Sequence, residues 1–507
     1  MVVVRTWLPL VAICTGTFML LVDVTIVNVA LPDVATDLGT SSGQLQWVVD
    51  VYALALAALV LGAGSLADLY GRRRLYLIGL VLFALASLAC GLAPDAGSLV
   101  AARGAQGIGG AIMFATTIAL INTGYEGRDR GTAFGVWGAV SGAAAAIGPI
   151  LGGALTELSW RWIFYVNLPL CVLAVALTLG AVPETRQHGA PRPDLPGIAL
   201  FSLGAGGLVF GLVRAATDGW GAPAAWAPIA GGLLGLAVWV LVELRRSAPM
   251  LDIRLFAGRS FTGIMAGSLL LNASAFASLV STSLWLQSVG GLSPLQAGLV
   301  FAPLSLVSFV VAAAAGRALL ARPPGPVIGG GLLLVGAGSL LMATVDGDST
   351  WRVLVAGLVV LGLGVGLATP LLASAALAAV PRERSGMASG AVNTARQLGF
   401  ALGVAVLGGV FTSGAAAALR DGGAPDPGGT AGALSAGQAG RLVEAAPPAE
   451  RGALADLFGS AYADGLRDVF LVCGAAGLVG GLLVLLLVRA DAPEQAPAAP
   501  PEVAVPR

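Results

Sequence analysis

The 507-residue chain contains no lysine: all 27 of its basic residues are arginine. A phosphate-binding loop of the Walker type requires its lysine, so the chain is not a conventional ATP-driven pump by itself. Schiff-base chemistry is excluded for the same reason. Histidine is nearly absent too, with His188 alone in a Pro-rich stretch, so neither a histidine metal site nor a Ser-His-Asp triad has support. The four cysteines, Cys14, Cys90, Cys171 and Cys473, each fall in an apolar run and read as small buried hydrophobes. No cofactor and no nucleic-acid partner is expected. Charge of either sign is scarce, at 11% of residues, whereas a water-soluble domain carries about 25%.

What is present is apolar: 57% of residues are hydrophobic and the mean hydropathy is +0.89. Repeated runs of about 20 apolar residues mean membrane-spanning helices rather than a barrel. The expected partners are therefore the lipid bilayer and whatever crosses it. Fourteen spans are expected, near 7–30, 44–66, 75–93, 98–121, 132–155, 166–182, 195–215, 226–244, 260–286, 295–316, 326–345, 351–379, 387–411 and 467–489. The first run continues into LVDVTIVNVALP without a small-residue cleavage site, so it reads as a span and not as a signal peptide. With these spans, eighteen arginines fall in one set of connecting segments and three (Arg161, Arg214, Arg352) in the short loops of the other. Arginine excess marks the cytoplasmic side, which puts both termini inside and the Ala/Gly/Pro-rich segment 412–466 outside.

The chain repeats itself. Gly-x-Ala-x-Gly follows an arginine-rich turn at Gly131–Gly135 and again at Gly386–Gly390, an offset of 255 residues. This offset matches the fifth span with the thirteenth. The halves are then 1–184 and 259–489, each a six-helix bundle, with two extra spans and a linker in 185–258 and a Pro/Ala tail in 490–507, expected to be disordered. Parallel halves of this kind bind substrate between them near the bilayer midplane.

The turn after the second span reads Gly64-Ser-Leu-Ala-Asp68-Leu-Tyr-Gly71-Arg72-Arg73-Arg74. It resembles the loop motif of the major facilitator superfamily, with Leu69 where a basic residue is usual. The resemblance implies an all-helical facilitator fold in which this loop latches the halves. The fifth span carries Gly148-Pro149-x-x-Gly152-Gly153, similar to the motif of the superfamily's exporters, which implies a helix bent where it meets the other half. The fourth span has Leu99, Arg103, Gln106, Gly107 and Gly109, and the first has Asp23, Asn28 and Pro32. Together with Trp160–Pro169 these resemble the fourteen-span drug:proton antiporters. The resemblance implies export of an amphiphilic small molecule against protons from the cytoplasmic membrane, by a monomer that is not an enzyme. The alternatives are a facilitator for an endogenous metabolite or, from another class, a membrane receptor or enzyme.

Charges inside spans are functional candidates by default. Asp23 lies nine residues before Pro32, Asp50 six after Gln44 and Arg103 five after Ser98. At about 1.5 Å per residue, all three are expected at one depth, roughly 8–14 Å from the outer end. Proton coupling is assigned to them, with Asp23 as first carrier. Asn28, Trp47, Tyr52, Phe114, Trp137, Asn393 and Arg396 are the expected cavity lining. Arg396 reads equally well as a structural clamp.

Overall fold

A computed structural model describes residues 2–39, 42–186, 193–218, 221–318, 322–381 and 384–488. Among them the secondary structure is helical. The first half comprises α1 (Val2–Leu38), α2 (Ser42–Tyr70), α3 (Arg72–Gly91), α4 (Ala96–Gly124), α5 (Gly127–Thr156), α6 (Trp162–Tyr165) and α7 (Asn167–Ala181). The extra pair is α8 (Leu195–Asp218) and α9 (Pro223–Arg245). The remainder comprises α10 (Arg259–Ala275), α11 (Ser278–Ser288), α12 (Pro294–Val300), α13 (Ala302–Ala318), α14 (Pro324–Met342), α15 (Arg352–Ala378), α16 (Ser385–Asp421), α17 (Pro427–Ser435), α18 (Ala439–Ala445) and α19 (Arg451–Leu487).

Among the described residues, thirteen helical stretches are long and apolar enough to cross a membrane. The expected span missing from these thirteen is the fifth, α5, which is 30 residues long but Gly/Ala-rich. It packs between α1 and α13, at the heart of the molecule. There small residues bring helix backbones close, which matters more in lipid than hydrophobicity does. Two expected spans are interrupted: the ninth at Phe276–Ala277, between α10 and α11, and the tenth at Phe301, between α12 and α13.

Segment 412–466 is largely helical rather than a loop. α16 runs on through the Ala-rich stretch 415–418 to Asp421 and stops at Gly422–Gly423, where Gly423 takes φ 77°. α19 starts at Arg451, well before its apolar part. Alanine is the best helix former and left-handed glycine a common stop. Tail 490–507 and His188 lie outside the described residues.

The helices meet differently at the two ends. At the end carrying the arginine triplet, α2 and α16 touch backbone to backbone: a Cβ on Gly64 would overlap the Gly386 carbonyl, and Gly390 lies against Leu61. Farther along, α8 packs against both α2 and α16. Trp47 of α2 stacks on Phe210 of α8, with ring centroids 5.4 Å apart. Leu212 and Ala215 of α8 cluster with Ala405 of α16. The extra pair thus lines the α2–α16 seam.

Candidate functional site

Asp68 ends α2 in the middle of the arginine-rich turn, 4% exposed. Its Oδ1 accepts from Arg72 Nε (3.0 Å) and Nη2 (2.6 Å). The same oxygen accepts from the Gly386 backbone N–H at 2.8 Å, and Oδ2 accepts from that of Met387 at 2.9 Å. Gly386 and Met387 open α16, whose first N–H groups have no partner within the helix and carry the positive end of its dipole. A buried carboxylate of one half thus caps a 37-residue helix of the other. The contact does not use position 69, so the departure at Leu69 leaves it intact.

Gly71 makes the turn possible. It has φ 108°, and a Cβ there would meet the Glu184 carboxylate at 2.7 Å. Glu184 accepts from the backbone N–H groups of Arg73 (3.1 Å) and Arg74 (3.0 Å), capping α3. Arg73 reaches the Leu179 carbonyl at 2.7 Å. Sequence reasoning missed Glu184; an acid 110 residues from the helix it caps carries no local signal.

The second cluster is sealed inside the first half. Asp23 is 0% and Arg103 1% exposed. Arg103 Nη1 donates to Asp23 Oδ2 and to Gln106 Oε1, both at 2.6 Å, and its Nε donates to the Val48 carbonyl at 3.1 Å. Asp23 Oδ1 accepts from Gln106 Nε2 (2.9 Å) and Asn167 Nδ2 (3.0 Å). Ser87 accepts from Gln106 at 2.8 Å. The Tyr52 ring lies under the guanidinium, 4.1 Å from its carbon. Five helices, α1, α2, α3, α4 and α7, each contribute a side chain or carbonyl. Every oxygen of the carboxylate is satisfied, as a charge in a low-dielectric interior requires. The expected shared depth of Asp23 and Arg103 is realised as an ion pair. Asp50 is buried on α2, two residues from Val48. Asn167 stood within the Trp160–Pro169 motif without an assigned role, and Ser87 was not singled out; its polarity carries no message until the helices meet.

Gly148 corrects an expectation. A Cβ there would overlap Thr25 Oγ1 of α1, close to Asp23, so this glycine packs within its own half. The other half is met instead by Gly138 and Gly142, against Pro370 and Ser308, and by Gly153, against Leu295. Gly152 is buried. The side chains of Asn28 and Pro149 lie outside the described residues.

The third cluster lies between the halves. Arg396 of α16 has its guanidinium carbon 5.5 Å from the Phe114 ring and 5.7 Å from that of Trp137. Asn393, one turn earlier and fully buried, donates to the Phe114 carbonyl at 2.9 Å. Ser389 donates to the Ala115 carbonyl at 2.6 Å. The expected lining therefore splits. Tyr52 belongs with Arg103, Trp47 with α8, and Phe114, Trp137, Asn393 and Arg396 stay together.

Comparisons with known proteins bear on this architecture. The family described as Major Facilitator Superfamily matches residues 13–404. The chain is 39% identical over 429 residues to the multidrug resistance protein Stp of Mycobacterium tuberculosis, covering 83% of this chain and 79% of that one. It is 40% identical over 428 residues to the puromycin resistance protein pur8 of Streptomyces alboniger, covering 82% and 84%. Its fold is similar to that of the human organic anion transporter MFSD10, with TM-score 0.63, 15% identity, and 94% and 99% of the two chains covered.

Proposed function

This chain belongs to the major facilitator superfamily of membrane transporters, and on that premise we propose that it is a proton-coupled antiporter. Its cargo is an amphiphilic drug or antibiotic, exported across the cytoplasmic membrane. The observation that carries the coupling is the sealed Asp23–Arg103 pair. Protonation neutralises Asp23 and leaves Arg103 buried without its counter-charge, so proton binding must come with separation of the two. That links the proton to a change of state. Relatives named for multidrug and puromycin resistance support the direction and kind of cargo.

In this reading the arginine-rich end is cytoplasmic, and both termini with it. The Asp68 cap on α16 then holds the cytoplasmic side shut, and opening toward the cytoplasm breaks it. Residues 1–184 and 259–489 rock about the site between them as a monomer, with 185–258 as the added pair.

Expression in a pump-deficient bacterial host, challenged with a panel of antibiotics and dyes, tests the proposal. Resistance to some amphiphilic compounds should rise, and Asp23→Asn should abolish the rise at equal membrane expression. Resistance unchanged across the panel, or increased accumulation of the compounds, contradicts export.

A further inference from the structure

Arg396 is a cation without a counter-ion. Among the described residues no carboxylate lies within 4.0 Å of its guanidinium, and the guanidinium donates no hydrogen bond. The other interior arginines differ: Arg103 is committed to Asp23 and Arg72 to Asp68. A lone cation at membrane depth is costly, and two aromatic faces at 5.5 and 5.7 Å offset that cost in part.

Its depth is that of a transport site. Arg396 is 11 residues past Ser385, Trp137 10 past Gly127 and Phe114 10 before Gly124. At about 1.5 Å per residue all three stand roughly 15 Å from the same end, halfway across a hydrocarbon core of about 30 Å. A lipid headgroup does not reach that level. The residues come from both halves, α4 and α5 on one side and α16 on the other.

Two neighbours each carry one unpartnered atom. Trp137 Nε1 and Asn393 Oδ1 are sealed from solvent and have no hydrogen-bond partner, although both residues are 0% exposed. An orphaned buried polar atom has lost its water without gaining a partner, which is unfavourable. Arg396, by contrast, keeps part of its surface accessible, and its donors are not among the sealed polar atoms. A guanidinium offers a planar fork of donors, Trp137 adds one donor, and Asn393 adds one acceptor. Phe114 and Trp137 supply flat apolar surface.

We infer that Arg396 binds an anionic oxygen of the transported molecule, a carboxylate or phenolate carried on an aromatic body, while Phe114 and Trp137 pack against that body. The inference rests on the export reading in taking the occupant to be cargo. A hydroxyl beside the anion pairs with Asn393 Oδ1 when the halves part to admit cargo, so hydroxylated aromatic acids suit the site best. Lipophilic cations meet a like charge there and bind more weakly.

The test uses fluorescein and rhodamine 123, which share a xanthene body and differ in charge. Binding to the purified full-length protein is read by fluorescence anisotropy. Fluorescein should bind more tightly than rhodamine 123. Arg396→Gln should weaken fluorescein by about tenfold or more without weakening rhodamine 123, whose retained binding shows that the variant is folded. Arg396→Lys, which keeps the charge, should fall between. Failure of the protein to bind fluorescein overturns the inference, as does equal loss of both dyes in Arg396→Gln, or fluorescein binding by Arg396→Gln that equals the parent's. Fluorescein binding through Arg396 in a protein that gives cells no resistance would sustain the inference and refute export, so the two failures are distinguishable.

Discussion

Asp68 holds Gly386: a side chain near the end of α2 accepts a first-turn backbone N–H of α16 at 2.8 Å across 318 residues of sequence. Both residues sit where the glycine pair Gly64 and Gly386 lets the two backbones touch. In the proposed cycle this carboxylate, acting on a helix terminus, helps to hold that end closed. Asp68→Asn keeps the shape but removes the charge. A hydrogen bond to a charged group is worth about 1.5–3 kcal/mol, so the open population should rise about tenfold or more. Leu61→Cys, placed in a version without the four native cysteines, reports this, because Leu61 is 1% exposed and packs on Gly390. Its maleimide labelling should be slow while Asp68 is present and much faster once Asp68→Asn is added. Equal rates would show that the cap does not hold the end closed.

Gly148 gives a prediction with a built-in rescue. Gly148→Ala drives a methyl into Thr25 Oγ1 and disturbs α1 beside Asp23. It should cut transport severely at near-normal expression; overpacking of this kind costs about 1–3 kcal/mol. Adding Thr25→Ala removes the clashing oxygen and should restore part of the activity. If the double variant is no better than Gly148→Ala alone, the clash is not the cause.

Asp37 accepts from Arg161 Nη1 at 2.5 Å and from Trp160 Nε1 at 2.9 Å, beyond the first span. The hydrogen bond from Arg161, helped by that from Trp160, holds its pKa below the ordinary carboxylate value. A lowered pKa means that the contact's contribution is complete above the unfolded value, about 3.9, and is lost as pH falls through the folded one. Asp37→Asn should therefore lower the melting temperature by an amount constant from about pH 5 to 8, and the gap should close below about pH 4. A gap that varied between about pH 6 and 8 would contradict this assignment.

The lessons of the sequence differ from residue to residue. The long apolar runs and the one-sided arginines located the helices, because lipid allows little else. Depth put Asp23, Asp50 and Arg103 at one level without saying which acid meets the arginine; the fold pairs Asp23 with it. The partners of Asp68 were not legible: backbone N–H groups carry no side-chain signature, and only the folded chain brings Gly386 to α2. Gly148 was recognised as a close-contact residue but assigned the wrong neighbour, because spacing reveals that a helix face is small and not what approaches it. In segment 412–466, composition pointed to short helices near Arg441 and Leu457, which are α18 and the start of α19; that its alanines also extend α16 and α19 beyond their apolar parts was not legible.

The most direct test of the account is proton movement in inside-out membrane vesicles. Vesicles are energised to an acid interior, read by quenching of acridine orange, and given the compound to which the protein confers most resistance. The parent protein should restore the dye's fluorescence as protons leave in exchange for cargo. Asp23→Asn should bind the compound within about threefold of the parent, less than about 1 kcal/mol, and restore no fluorescence. Undiminished, gradient-dependent exchange by the Asp23→Asn protein would contradict the assignment of the proton to the Asp23–Arg103 pair.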